Sequence, residues 1–262
     1  MRRLVVQVHS GAPFWDVAQL VQQVIVNHPL VGPIPTVPAS SENVMINMAP
    51  DCELIGYILR HGETVLNANN CWRGWENPPL NEKGTEAAEA AGHYLGFQKL
   101  GRIVSSDLLR ASQTAEIVMS CASVECPYIS YDPNLRPWAI SSKFAGMEKT
   151  AERLKDFKFY IDHPDVPIPP DGESLNQHRD RNEVIFPYLA TPYKGLPTLV
   201  VCHTSNVTAA VRRIDEETFQ QEEWTDVVEP GGLIAVYMDG KGTLSVIPVL
   251  GAVKTEPQPE AS

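Results

Sequence analysis

The chain has 262 residues, of which 43% are apolar and 8% aromatic, enough to bury one large core without disulfides or oligomerisation. Twenty-one Lys and Arg stand against 32 Asp and Glu, a formal net charge of −11, so the overall field repels nucleic acid and anionic membrane and excludes both as partners. A small phosphorylated substrate stays compatible, because a local cluster of Arg and His can reverse the potential inside one pocket.

In chain order, Leu4 to Val8 reads as a strand, and its apolar run ends at Gln7 and His9 with no small-residue cleavage site, unlike a signal peptide. Val17, Leu20, Val21, Val24 and Ile25 place one helical face on Phe14 to Asn27. Prolines at 29, 33, 35, 38 and 50 then give a linker composition. Beyond it strands and helices alternate: strand Leu54–Leu59, helix Asn81–Phe97, strand Arg102–Ser105, helix Ala111–Ala122 and a helical stretch after Gly146. After the Pro-rich piece 164–170 come helix Ser174–Leu189, strand Thr198–Cys202, helix Val207–Ile214, and two closing strands, Leu233–Met238 and Leu244–Val249. The alternation predicts an α/β fold, a three-layer sandwich with a mostly parallel central sheet flanked by helices, in which ligands collect at the carboxyl ends of the strands. The expected organisation is an N-terminal strand-helix segment with linker over 1–50, a main domain over 51–251 and a disordered tail over 252–262, where almost nothing apolar offsets the ordering entropy. No stretch approaches the roughly 20 apolar residues that span a bilayer. Cys52, Cys71, Cys121, Cys126 and Cys202 are odd in number and form no Cys-x-x-Cys pair, which predicts reduced thiols and a cytoplasmic protein.

Chemistry is suggested where strands end. Arg60-His61-Gly62 follows the apolar run Leu54–Leu59, so the His61 ring would sit in the strand-end crevice and Gly62 would let a phosphate approach. The arrangement recurs at His203, which follows Leu199-Val200-Val201-Cys202. Cys202 and His203 point to opposite faces of one strand, so they are not a nucleophile pair, and Cys202 is expected in the core. Arg110, after Ser106-Asp107-Leu108-Leu109, is a third basic group suited to holding phosphate with two parallel hydrogen bonds. His61-x-Glu63 with His203 is also a conceivable metal set, but a guanidinium at Arg60 beside a divalent cation costs Coulomb energy, whereas beside a phosphate it is favourable. No metal and no cofactor are expected.

These residues, together with Glu63-Thr64, Asn67, Gly74, Pro79-Leu80, Gly84, Ser105-Ser106-Asp107-Leu108-Leu109-Arg110-Ala111-Ser112-Gln113-Thr114-Ala115 and Gly172-Glu173-Ser174, resemble the histidine phosphatase superfamily, also called phosphoglycerate mutase-like, in the order of that family from about residue 54 to 250. The resemblance implies that His61 attacks phosphorus and forms a phosphohistidine that water hydrolyses, that Arg60, Arg110 and His203 surround the phosphoryl oxygens, and that Asn67 adds a neutral donor. The substrate would be a phosphorylated small molecule or phosphoprotein.

One part of the pattern is missing. Relatives that act on alkyl esters supply a carboxylic acid where this chain reads Leu135-Arg136-Pro137-Trp138-Ala139-Ile140-Ser141. Glu173 is the leading substitute and Asp132 a lesser one, though a helix-start carboxylate and a turn residue before proline explain them equally. Without an acid, substrates whose leaving group needs no proton are favoured, such as phosphohistidine, an acyl phosphate or an aryl ester. Trp72 and Trp138 are candidates to line the leaving-group side, and Arg73 and Arg136 to read a second anionic group. The competing readings are a phosphomutase and a phospho-ligand binding module that has lost turnover.

Overall fold

The computed structural model describes residues 52–126, 128–214 and 227–252. The expected N-terminal strand, helix and linker and the C-terminal tail lie outside the described residues. A six-stranded mixed sheet organises the rest, with β1 at Glu53–Arg60, β2 at Arg102–Ser105, β3 at Ile129–Tyr131, β4 at Thr198–Cys202, β5 at Val228–Met238 and β6 at Leu244–Ala252. The strand order is β3-β2-β4-β1-β5-β6. The pairings β2–β3, β2–β4 and β1–β4 are parallel, while β1–β5 and β5–β6 are antiparallel.

Strand alternation sends the β1 side chains to two separate cores. Ile58 lies on one face with Val104, Val200 and Ile234, under helix residues Ile185, Leu189, Val207 and Val211. Tyr57 and Leu59 lie on the other with Ile103, Leu199 and Val201, under Ala91, Leu95, Ala115 and Val118. The helices that cover the second face are α2, Glu82–Gly96, and α3, Leu109–Cys121, and α2 is preceded by the short α1, Val65–Ala68. After β3 come α4, Ser141–Phe144, and α5, Ala151–Asp162, then α6, Leu175–Asn182, α7, Ile185–Ala190, and α8, Thr204–Ile214. The first face is covered by α7 and α8. Helices on both faces of the sheet make three layers, as the alternation predicts.

The segment read as one helix, Ser174–Leu189, is two, α6 and α7. Pro187 accounts for the break: its ring obstructs the carbonyl of Glu183, four residues back, and it donates no N–H, which is harmless only in the first turn of a new helix. A third apolar cluster sits apart from the sheet faces, where Trp72, Trp138, Ile140, Phe144, Tyr160 and Leu175 pack with Phe157. It joins the loop after α1 to α5.

Candidate active site

The register of the parallel strands builds the site. Arg60 is paired with Cys202, and the next residues continue the ladder, since the His61 amide donates to Cys202 O at 2.9 Å. On the far side of β4 the Ser106 amide donates to Val201 O at 2.9 Å. Three neighbouring strand ends therefore bring His61, His203 and Ser106 together, and the two imidazole centroids are 5.0 Å apart. Gly62 is required for a reason other than phosphate access. A Cβ there would run into the backbone of Gly84, and one on Gly84 would meet the backbone of Glu63, so the two glycines let the loop after β1 lie directly on the start of α2. Thr114 holds the same loop by accepting the Gly62 N–H at 3.1 Å.

His61 Nδ1 is 2.6 Å from Gly62 O. A carbonyl oxygen only accepts, so Nδ1 carries the proton and Nε2 is left with its lone pair, which meets Arg110 Nε at 3.2 Å. Arg110 itself is fixed by donating to Glu76 O at 2.6 Å and Gly74 O at 2.9 Å. Gly74 has φ +49°, a left-handed conformation that suits glycine. His203 Nε2 lies 2.9 Å from Ser106 Oγ, and its Nδ1 is buried without a partner among the described residues. The Ser106 hydroxyl also accepts the Leu108 N–H at 3.4 Å; with its own proton given to His203 Nε2, the ring proton would stand on Nδ1.

The electrostatics keep both rings neutral. Burial, followed by the charges of Arg110, Arg60 and Arg73, lowers His61 well below the ordinary imidazole value. Burial, Arg110, His61 and Arg73 do the same to His203. Arg110 is pushed down to about 9, chiefly by burial, and keeps its charge at neutral pH. Cys202 is fully buried in the core on the opposite side of its strand, and burial raises its thiol to about 12, so it is inert.

A cleft of about 130 Å³ opens on His61, Arg110 and His203. Trp72, Trp138, Ile140 and Phe157 form its apolar wall, and Arg73 and Lys149 add two cations. Among the described residues no Asp or Glu lines it. Arg60 is buried beside the cleft rather than lining it and donates to Val228 O at 2.6 Å, while its charge still acts on His61. Asn67 is not in the lining either. Its Oδ1 accepts from the Thr64 amide and hydroxyl and closes the capping box of α1.

Glu173 is corrected by the geometry. Its Oε1 accepts from Arg181 Nη2 and from the Ala139 N–H at 2.9 Å, and its Oε2 accepts from Arg181 Nε at 3.3 Å. Its carboxylate is occupied by these donors and the residue does not line the cleft, so it is badly placed to deliver a proton to a leaving group. Arg181 also donates to the carbonyls of Asn134, Arg136 and Pro137, and the pair thereby fixes the loop where an acid was expected. Asp132 is a turn residue, accepting from the Asn134 amide and from the Tyr188 hydroxyl, both at 2.8 Å. Arg136 forms a two-pronged ion pair with Asp107 and lies over the Trp75 ring, which removes it from the cleft. Glu63 accepts from Asn81 Nδ2 at 2.7 Å, and among the described residues no three His, Cys, Asp or Glu side chains gather as a metal site. Sequence reasoning missed Lys149, which only the bridge pairing Cys71 with Glu148 brings alongside Arg73.

The chain is 32% identical over 165 residues to a metal-independent phosphoserine phosphatase of Arabidopsis thaliana, covering 61% of this chain and 68% of that one. It is 28% identical over 217 residues to a 2,3-bisphosphoglycerate-dependent phosphoglycerate mutase of Methanococcus vannielii, covering 70% and 90%. Among solved structures, Bacillus stearothermophilus YhfR superposes with a TM-score of 0.62 at 26% identity over 76% of this chain and 96% of its own. A mycobacterial glucosyl-3-phosphoglycerate phosphatase in complex with VO3 shares the fold with a TM-score of 0.62 at 20% identity, covering 75% and 98%. A model of the histidine phosphatase superfamily (branch 1) matches residues 56–246, and the chain belongs to that family.

Proposed function

We propose that this protein is a metal-independent phosphatase that passes the phosphoryl group of a small molecule or phosphoprotein to His61 Nε2 and then to water. The observation that carries this reading is the His61 Nδ1 to Gly62 O hydrogen bond of 2.6 Å, which fixes the tautomer and leaves Nε2 as the nucleophilic atom. A phosphate entering the cleft takes the Arg110 Nε–H and releases the Nε2 lone pair. As the P–N bond forms, the bond to the leaving oxygen breaks and that oxygen departs with the electron pair. Water then attacks phosphorus, the P–N pair returns to Nε2, and the water proton is lost to solvent. Arg110 and His203 Nδ1–H donate to the equatorial oxygens, and Arg60 adds its charge from beneath.

Among the described residues no carboxylic acid lines the cleft, and a leaving oxygen that departs unprotonated favours aryl and acyl phosphates or phosphohistidine over alkyl esters. The phosphoserine phosphatase relative supports hydrolysis as the reaction class, although an unassisted serine alkoxide is a poor leaving group. The mutase relatives support a second reading, transfer of the phosphoryl group back to a bound phosphoglycerate.

The test is turnover of an aryl phosphate with and without chelator, with rapid quenching to trap base-stable, acid-labile phosphate on the chain. Wild type is expected to label and turn over in both conditions, and His61→Ala to do neither while remaining folded. Labelling and turnover in the His61→Ala variant would overturn the assignment. Dependence of the rate on a phosphoglycerate acceptor, with no net phosphate release, would favour the mutase.

A further inference from the structure

Two hydroxyls line the cleft beside His203, those of Thr204 and Ser205, where β4 passes into α8. Thr204 Oγ1 is buried with no hydrogen-bond partner among the described residues. A buried hydroxyl left in that state costs stability unless a ligand completes it. Ser205 Oγ accepts the Trp138 N–H at 3.0 Å, and among the described residues nothing accepts its own proton. Resting on the phosphatase reading above, we propose that Thr204 and Ser205 are catalytic residues whose hydroxyls donate hydrogen bonds to the leaving oxygen as the P–O bond breaks.

The turn that carries the two hydroxyls is held from behind. Asn206 is fully buried; its Oδ1 accepts the His203 N–H at 3.3 Å, and its Nδ2 donates to Arg136 O at 3.2 Å and to Asn182 Oδ1 at 2.9 Å. The Val207 N–H closes the first turn on His203 O at 3.0 Å. In-line transfer sets the leaving oxygen across phosphorus from His61 Nε2. Ser205 is tied to the wall of the cleft, because the N–H it accepts belongs to Trp138, whose ring lines the cleft and whose indole Nε1 donates to Glu173 O at 3.0 Å. Arg110 and His203 serve the equatorial oxygens, which leaves these hydroxyls for the oxygen that departs. A hydroxyl turns its proton about the C–O bond and follows the charge as it grows on that oxygen, and donors fixed in advance act without reorganisation. The electron pair of the P–O bond goes to the leaving oxygen, both hydroxyl protons stay on Thr204 and Ser205, and the released oxyanion takes its proton from water. The preference for good leaving groups is therefore softened and not removed.

The experiment measures kcat/KM, which reports formation of the phosphohistidine, over substituted phenyl phosphates running from 4-nitrophenyl to phenyl. Thr204→Val keeps the shape of the side chain and loses no protein hydrogen bond, so it remains informative even where Ser205→Ala, which strips the Trp138 N–H of its acceptor, fails to fold. Thr204→Val is expected to lower kcat/KM by about tenfold with 4-nitrophenyl phosphate and by about 10²-fold with phenyl phosphate, because a donor to the leaving oxygen matters more as that oxygen becomes more basic. Folded Ser205→Ala should steepen the dependence in the same sense, and Thr204→Ser, which restores the hydroxyl, should return it to the wild-type slope. A loss that is equal across the series would place the Thr204 hydroxyl on the equatorial oxygens and overturn the proposal, and so would a loss under threefold throughout. Either result leaves the phosphatase reading intact. Absence of turnover in wild type would sink that reading and this assignment with it.

Discussion

Replacing Glu173 with Gln separates a structural carboxylate from a catalytic one. The carboxylate holds Arg181 through two contacts and accepts the Ala139 amide, with both side chains less than a fifth exposed. Gln is isosteric, so a carbonyl oxygen at the Oε1 position still accepts from Ala139 and from Arg181 Nη2, but Arg181 loses its counter-charge and the bond from its Nε to Oε2. Hydrogen bonds to charged groups contribute about 1.5–3 kcal/mol, and partial exposure moves the expected loss to the lower part of that range, about 1.5–2 kcal/mol. Denaturant unfolding measures this loss directly. The kinetic counterpart is a series of phosphate esters spanning leaving-group basicity. Acid assistance supplies typically about 10²–10⁴-fold, so wild type without a positioned acid should already show a steep fall in kcat/KM toward alkyl esters, and Glu173→Gln should leave that slope unchanged. A shallow slope in wild type that steepens in the variant, with stability unaltered, would show that Glu173 delivers the proton and that its bond to Arg181 is broken during turnover.

Arg110→Ala should reduce turnover of an aryl phosphate by about 10²–10³-fold, the usual loss for one charge-stabilising donor, as read from kcat on protein with an unaltered circular dichroism spectrum; a change under threefold would place Arg110 outside the transition state. Gly62→Ala forces a methyl into the backbone of Gly84 and should cost several kcal/mol or prevent folding, so near-normal unfolding would refute the close approach of loop and helix. His61, His178 and His203 are all lowered, principally by burial, with His178 pushed down to about 3. Below the unfolded histidine value near 6.5 the unfolded chain therefore binds protons that the folded protein does not, so stability falls as pH drops from about 7 toward 4. Each such histidine contributes a slope of up to about 1.4 kcal/mol per pH unit, and His178→Asn should make the measured fall shallower; a stability profile that is flat in this window would refute neutral burial.

Much of the candidate site was legible in the residues themselves. An apolar run ending in His is a strand delivering a ring to the sheet edge, and two such runs, at His61 and His203, together with the helix-opening Arg110, located the crevice because parallel strands in an α/β sheet end on the same side. Chain order also anticipated the sheet and its flanking helices, and strand Thr198–Cys202 ends where the apolar pattern ends. Strand β3 escaped because only one of its three residues, Ile129, is even partly buried, which leaves no apolar alternation to read. The rest was decided by tertiary contacts that local sequence does not encode. Glu173 has the composition of a general acid, and only the approach of Arg181 from α6 ties it into the loop away from the cleft. Gly62 reads as a phosphate-binding glycine, whereas its lack of a side chain is demanded by Gly84. Arg73 and Arg136 are indistinguishable as letters. Asp107 takes one out of the cleft, while the bridge of Cys71 to Glu148 sets the other beside Lys149, because charge compensation and proximity depend on where distant segments meet.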